Sequence, residues 1–143
     1  MASIFKAIQT QHYRDKINKV AIGQAGLNIT LTTAVLGHGW LKTVEGVEIP
    51  DIDAIPINAP ITSVPSQFKS VAPTLGYSNG KLTALIESSD FAAGVSHQYN
   101  IVAILDGDGE AAYILIGQPA YISAERPLSV NATFEQKIVT VAS

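Results

Sequence analysis

The 143-residue sequence carries 9 Lys and Arg against 12 Asp and Glu, a net charge of −3, and no cysteine. Disulfides and thiolate metal sites are excluded, and there is no overall basic field to attract nucleic acid. Only 15% of residues are charged while 47% are hydrophobic, against a usual charged share of about 25%, so the surface should present neutral patches of the kind another subunit covers.

The length predicts one domain over residues 1–143. The start, MASIFKAIQTQHYRDK, has too short an apolar stretch for a signal peptide. No window approaches the roughly 20 apolar residues of a membrane span, so a soluble, non-exported chain with no membrane partner is expected. Residues 3–21 read as a helix, uninterrupted by Pro or Gly, with Ile4 and Ile8 on one face and Tyr13, Ile17 and Val20 on another that does not align with it. Lys6, Arg14, Lys16 and Lys19 surround Asp15 and read as a solvated helix face rather than a phosphate track. Gly23 and Gly26 would close the helix.

Residues 27–36 alternate cleanly, Leu27, Ile29, Leu31, Thr33 and Val35 opposite Asn28, Thr30 and Thr32, and predict the first strand. Gly37-His38-Gly39 lacks the Lys and the following helix of a phosphate loop and reads as a tight turn. Glu45, Glu48, Asp51 and Asp53 form an acidic segment with no basic residue among them, one that could meet the basic cluster between subunits. From 47 to 73, Pro50, Pro56, Pro60, Pro65 and Pro73 remove backbone donors every few residues and predict a long connection with short extended pieces. Ile49, Ile52, Ile55, Ile57 and Ile61 make that connection apolar enough to lie against the body or a neighbour.

Antiparallel strands are expected from 74 to 142. Asn79-Gly80 is a strong hairpin signal, because a type I′ turn needs two residues of positive φ. The run YNIVAILDGDGEAAYILIG predicts two strands buried on both faces around a glycine-rich turn. The last strand alternates through Leu128, Val130, Ala132 and Phe134. The class expected is mainly β, an antiparallel sandwich or barrel-like domain with an N-terminal helix and a long proline-rich connection.

Several residues invite a chemical reading. Gly76 to Gly80 fits the G-x-S-x-G pattern of serine hydrolases, and a triad can be written as Ser78, Asp90 and His97. The residues after Ser78 carry the alternation of a strand, not the helix that a nucleophile elbow requires, which favours the hairpin. Asp106, Asp108 and Glu110 resemble the opening of a calcium loop, but the apolar strand that follows lacks the late Glu such a loop needs. A hairpin turn is therefore expected there. His12, His38 and His97 are scattered, with no zinc spacing. Tyr77, Tyr99, Tyr113 and Tyr121 leave a sugar-binding shelf open. The sequons at Asn28 and Asn131 read as ordinary strand residues without a secretory route. No catalytic, cofactor or metal residues are assigned.

In order and spacing, a leading helix, the strand LNITLTTAVLGHG, the proline-broken middle, NIVAILDGDGEAAYILIGQPAY and a final strand resemble the N-terminal region of the tail-collar fibre family of contractile-tail phages. In that family the early strand ends in a Gly-x-Gly turn, matched by Gly37-His38-Gly39. A late strand enters an Asp-x-Asp-Gly turn, matched by Asp106 to Gly109, and a short strand and Pro119 follow. The resemblance implies a non-enzymatic virion protein, made in the host cytoplasm, that attaches a tail fibre to the baseplate, as a homotrimer in contact with other tail or baseplate proteins. The family often has Asp where His38 stands, and its members continue into a long shaft whereas this sequence ends at Ser143, so a short adaptor is expected. Another virion connector, of neck or tail, and a small carbohydrate-binding module are the alternatives.

Overall fold

The computed structural model describes residues 6–89 and 91–135. In chain order the elements are β1 (Lys6–Gln9), α1 (Gln11–Ala21), β2 (Leu31–Gly37), β3 (Leu41–Val44), β4 (Val47–Pro50), a 3₁₀ turn at Ile52–Ala54, β5 (Lys69–Val71), β6 (Thr74–Ser78), β7 (Lys81–Ser88), β8 (Ser96–Asp106), β9 (Ala111–Ser123) and β10 (Leu128–Glu135). The protein is mainly β, and its sheets are not closed into a barrel.

Every strand pairing is antiparallel. Five strands form one sheet in the order β1-β9-β8-β2-β5, three form a second in the order β10-β7-β6, and β3 and β4 make a separate ribbon. Alternation decides what each face buries. Ala34, Leu36, Val102, Ile104 and Leu115 of the large sheet meet Ala84, Ile86, Leu128, Ala132 and Phe134 of the small one, giving an open sandwich. The opposite face of the large sheet, with Val35, Ile101, Ala103, Ile114 and Ile116, is covered by Ile55, Ile61 and Val64 of the proline-rich segment. β8 and β9 are apolar almost throughout because they are buried from both sides.

β9 departs from strict alternation where the chain needs it. Ile104 opposes Tyr113 and Leu105 opposes Ala111, so Ala112 is an extra residue, and Ala112 and Tyr113 both turn to the inner core. A second irregularity, between Tyr99 and Ile101 of β8, faces Pro119, which has no N–H to give to a ladder. Beside it the buried Asn100 side chain accepts from Gly39 N–H at 2.8 Å and donates to Gly39 C=O at 2.9 Å, acting as a strand partner for the turn after β2.

Three boundaries differ from the sequence reading. The helix expected over 3–21 is broken: within the described residues, Lys6–Gln9 form a strand on β9 and the helix begins at Gln11. Thr10 causes the break, its hydroxyl donating to Ala111 C=O at 2.9 Å and accepting from Tyr13 N–H at 3.1 Å. The misaligned stripes of Ile8 and Tyr13 belong to two different elements. The strand expected over 27–36 spans Leu31–Gly37, because Asn28 takes the Thr30 N–H onto its own side chain at 3.0 Å. The connection expected from 47 begins instead as β4, paired with β3 across Glu45 and Gly46, whose φ of 52° and 78° make a tight hairpin turn. The strand reading of 136–142 lies outside the described residues.

Candidate functional site

The one buried ionic cluster among the described residues is built where α1 crosses the β8–β9 hairpin. Thr10 sets the start of the helix, and the 3.6-residue period then puts Tyr13, Lys16 and Ile17 on its inward face and His12 one turn before Lys16. Lys16 is only 3% exposed. Its Nζ donates to Asp106 Oδ2 at 2.7 Å, Asp108 Oδ2 at 2.8 Å and Glu110 Oε1 at 2.9 Å.

The turn that presents these carboxylates is tied by its own backbone. Asp106 Oδ1 accepts from the N–H groups of Asp108 at 2.9 Å and Glu110 at 3.2 Å, which leaves Oδ2 for the lysine. Gly109 N–H donates to Asp106 C=O, and Gly109 sits at a φ of 78° that glycine adopts without strain. A methyl group on Gly107 would collide with the Asn28 side chain. That close approach lets Asn28 N–H reach Asp108 Oδ2 at 3.1 Å. His12 Nε2 lies 3.1 Å from Glu110 Oε1, the oxygen that Lys16 also uses.

Burial opposes the charge on Lys16, but the three carboxylate hydrogen bonds outweigh it and hold the ammonium well above its ordinary range. Hydrogen bonds from Lys16 and then from Asn28 N–H keep the Asp108 carboxyl below its usual value. Burial raises Glu110, yet the hydrogen bonds from Lys16 and His12 prevail and lower it. Tyr13, whose hydroxyl donates to Ile29 C=O at 2.6 Å, is pushed up to about 12, first by burial and then by Tyr113 and Asp106.

Chemically, this is a cation site filled by the chain itself. Oxygens of Asp106, Asp108 and Glu110 lie within 4.8 Å of one another, close enough to hold a metal ion, but Lys16 places its ammonium among them, with three N–H donors for three carboxylates. An amine held protonated has no lone pair for nucleophilic or base chemistry. The arrangement ties the N-terminal helix, the hairpin tip and the 24–30 loop into one unit.

The other sequence candidates are dispersed. Asp106, Asp108 and Glu110 do form a hairpin turn, and what the sequence reading missed is the lysine 90 residues away in the chain. Reading Lys16 as solvated helix surface was wrong; the available signal was its place in the apolar stripe Tyr13, Lys16, Ile17, Val20. Ser78 ends β6 at the Lys81 end of β7. His97 instead stacks on Phe68, ring centroids 4.5 Å apart, and near Phe91, which follows the Ser88 end. The eight-residue β7 sets those ends about 23 Å apart at 3.3 Å per residue, so the pair is not brought together; Asp90 lies outside the described residues. His38 N–H donates to Pro65 C=O, and its buried Nε2 has no partner among the described residues. The tyrosines do not share one shelf: Tyr113 is buried against Phe134, Tyr77 is exposed on the small sheet, and Tyr99 and Tyr121 line a groove of the large one. Among the described residues no helix is long and apolar enough to cross a membrane. Comparison with protein-family models, with curated proteins and with solved structures finds no match.

Proposed function

We propose that the chain is a non-enzymatic structural subunit of a phage tail, attaching a fibre to the baseplate or serving as a short adaptor, and that it acts as a homotrimer with other tail or baseplate proteins as partners. The observation that supports this reading is how its chemistry-bearing residues are used: the one buried ionic cluster among the described residues is closed by the chain's own Lys16 and fastens an N-terminal arm to a hairpin. A surface poor in charge, with exposed Val44, Val47, Leu75, Tyr77, Val95 and Tyr121, agrees with a part meant to be covered in an assembly.

The deciding experiment localises the chain in a three-dimensional map of a virion that contains it, together with its mass in solution by light scattering. Density at the fibre–baseplate junction and a trimer are the expected results. Density at the neck would transfer the chain to another connector, and absence from the particle would end the virion reading.

A further inference from the structure

The N-terminal arm, β1 with α1, is held differently from the sandwich it lies on. Among Lys6–Ala21 only Thr10, Tyr13 and Lys16 are buried, so Tyr13 is the one apolar side chain fully enclosed. In β8, by contrast, every residue from Tyr99 to Asp106 is buried. β1 pairs with β9 along one edge, and its other edge pairs with no strand among the described residues. On that side runs the groove between β1 and β10, two adjoining cavities of about 890 and 590 Å³ that share Ala7 and Thr133. Lys6 and Arg14 line one of them and Arg126 the other, all three exposed. Solvent therefore reaches the arm from the groove as well as from the outer face of the helix.

What fastens the arm is the ionic knot. Lys16 Nζ is enclosed by Asp106, Asp108 and Glu110, and His12 shares the Glu110 oxygen. The titratable groups that meet there are His12, Tyr13 and Lys16 from α1, Asp106, Asp108 and Glu110 from the β8–β9 turn, and Tyr113 from β9. Residues 28–32 and 57–61 also touch the site, through Asn28, Ile29, Thr32, Ile57 and Ile61, and bring no titratable side chain. Phenols carry no charge in acid, so an acid response at this contact belongs to the carboxylates and His12. Once the carboxylates are protonated, Lys16 is an enclosed ammonium without a counter-charge, and a protonated His12 one turn earlier adds a second cation to the same face. Undocking returns both to water. The apolar burial that holds β8 in the sandwich does not titrate.

We propose that the arm is an acid-released strap: protonation of the carboxylates around Lys16 undocks β1 and α1 while the sandwich stays folded, which widens the groove and bares the β9 edge from Tyr113 to Ile116. The Asp108 and Glu110 carboxyls titrate below their ordinary 3.8 and 4.5. Release therefore comes as pH falls through those lower values and is absent above about pH 5.

The test is amide hydrogen exchange of the full chain, followed by mass spectrometry, with each rate divided by that of the unfolded chain at the same pH. Between about pH 6 and about pH 3, protection in residues 6–9 and 11–21 should fall by about tenfold or more, while residues 99–106 keep theirs to within about threefold. Asp108→Asn with Glu110→Gln keeps an acceptor oxygen at each position and removes the titrating charge. This variant, its fold checked by circular dichroism, should have an arm less protected at about pH 6 than the unmodified protein's, with a response to acid of about threefold or less. Loss of protection in 6–21 and 99–106 together would make arm and sandwich one cooperative unit and overturn the inference. An arm whose protection ignores acid, or whose full acid response survives in the double variant, overturns it equally.

Discussion

The helix–hairpin knot and the β1–β10 groove are both places where charge meets apolar surface, and the chain treats them oppositely. In the knot, one ammonium is enclosed by three carboxylates from a segment 90 residues away, and every donor is answered within the chain. In the groove, the charges of Lys6, Arg14 and Arg126 stand at the exposed surface. The contrast follows from desolvation. A charge buried in one chain must be answered by that chain, or folding would bear its solvation cost alone, whereas a charge at the surface stays hydrated.

The largest effect should come from breaking the knot. Lys16→Met leaves the Asp106 carboxylate, 1% exposed, without its cation, and should cost about 3–5 kcal/mol in urea unfolding. A loss below about 1 kcal/mol would mean that water or another cation replaces the lysine, and the contrast with the groove would fail.

Acid should act on the same residues. Asp108 and Glu110 have folded values below their ordinary 3.8 and 4.5, so their contribution is complete above those values and is lost as pH falls through them toward the lower folded ones. Lys16, raised above its ordinary 10.5, contributes fully below that value and loses its contribution only as pH rises beyond it. Stability measured against pH should be flat from about 5 to 10 and fall on both sides, and in Lys16→Met the acid limb should shrink. An acid limb unchanged by the substitution would assign it to other carboxylates.

A smaller loss, about 1–2 kcal/mol, is expected for Thr10→Ala, which removes the helix cap and the bond to Ala111 C=O together. Amide exchange in residues 11–21 should rise more than in β8 if the arm loosens as a unit. Least of all, Lys6→Glu with Arg126→Glu should change the monomer's unfolding free energy by no more than about 0.5 kcal/mol, as surface substitutions do. Instability in that variant would show Lys6 and Arg126 to be part of the fold rather than exposed surface.

Much of the sheet was legible because its signals are local. Asn79-Gly80 sits at positive φ between paired strands, and the apolar run on either side of Asp106–Glu110 forms β8 and β9, buried from both faces. Glu45-Gly46 was a turn signal of the same kind, hidden by the prolines that follow it. The strand at Lys6–Gln9 could not be seen, since four residues without a partner carry no period; only pairing with Tyr113–Ile116 makes them a strand.

The sequence by itself determined the β class, the positions of most hairpins and the residues that must be inside, because alternation and turn chemistry act between near neighbours. The tertiary structure alone decided that Lys16 would be buried, that Asp106, Asp108 and Glu110 would enclose it, and that β1 and β10 would stand at the ends of their sheets among the described residues. Those outcomes depend on which distant segments come together, and coulombic pairing across 90 residues leaves no periodic trace in the chain.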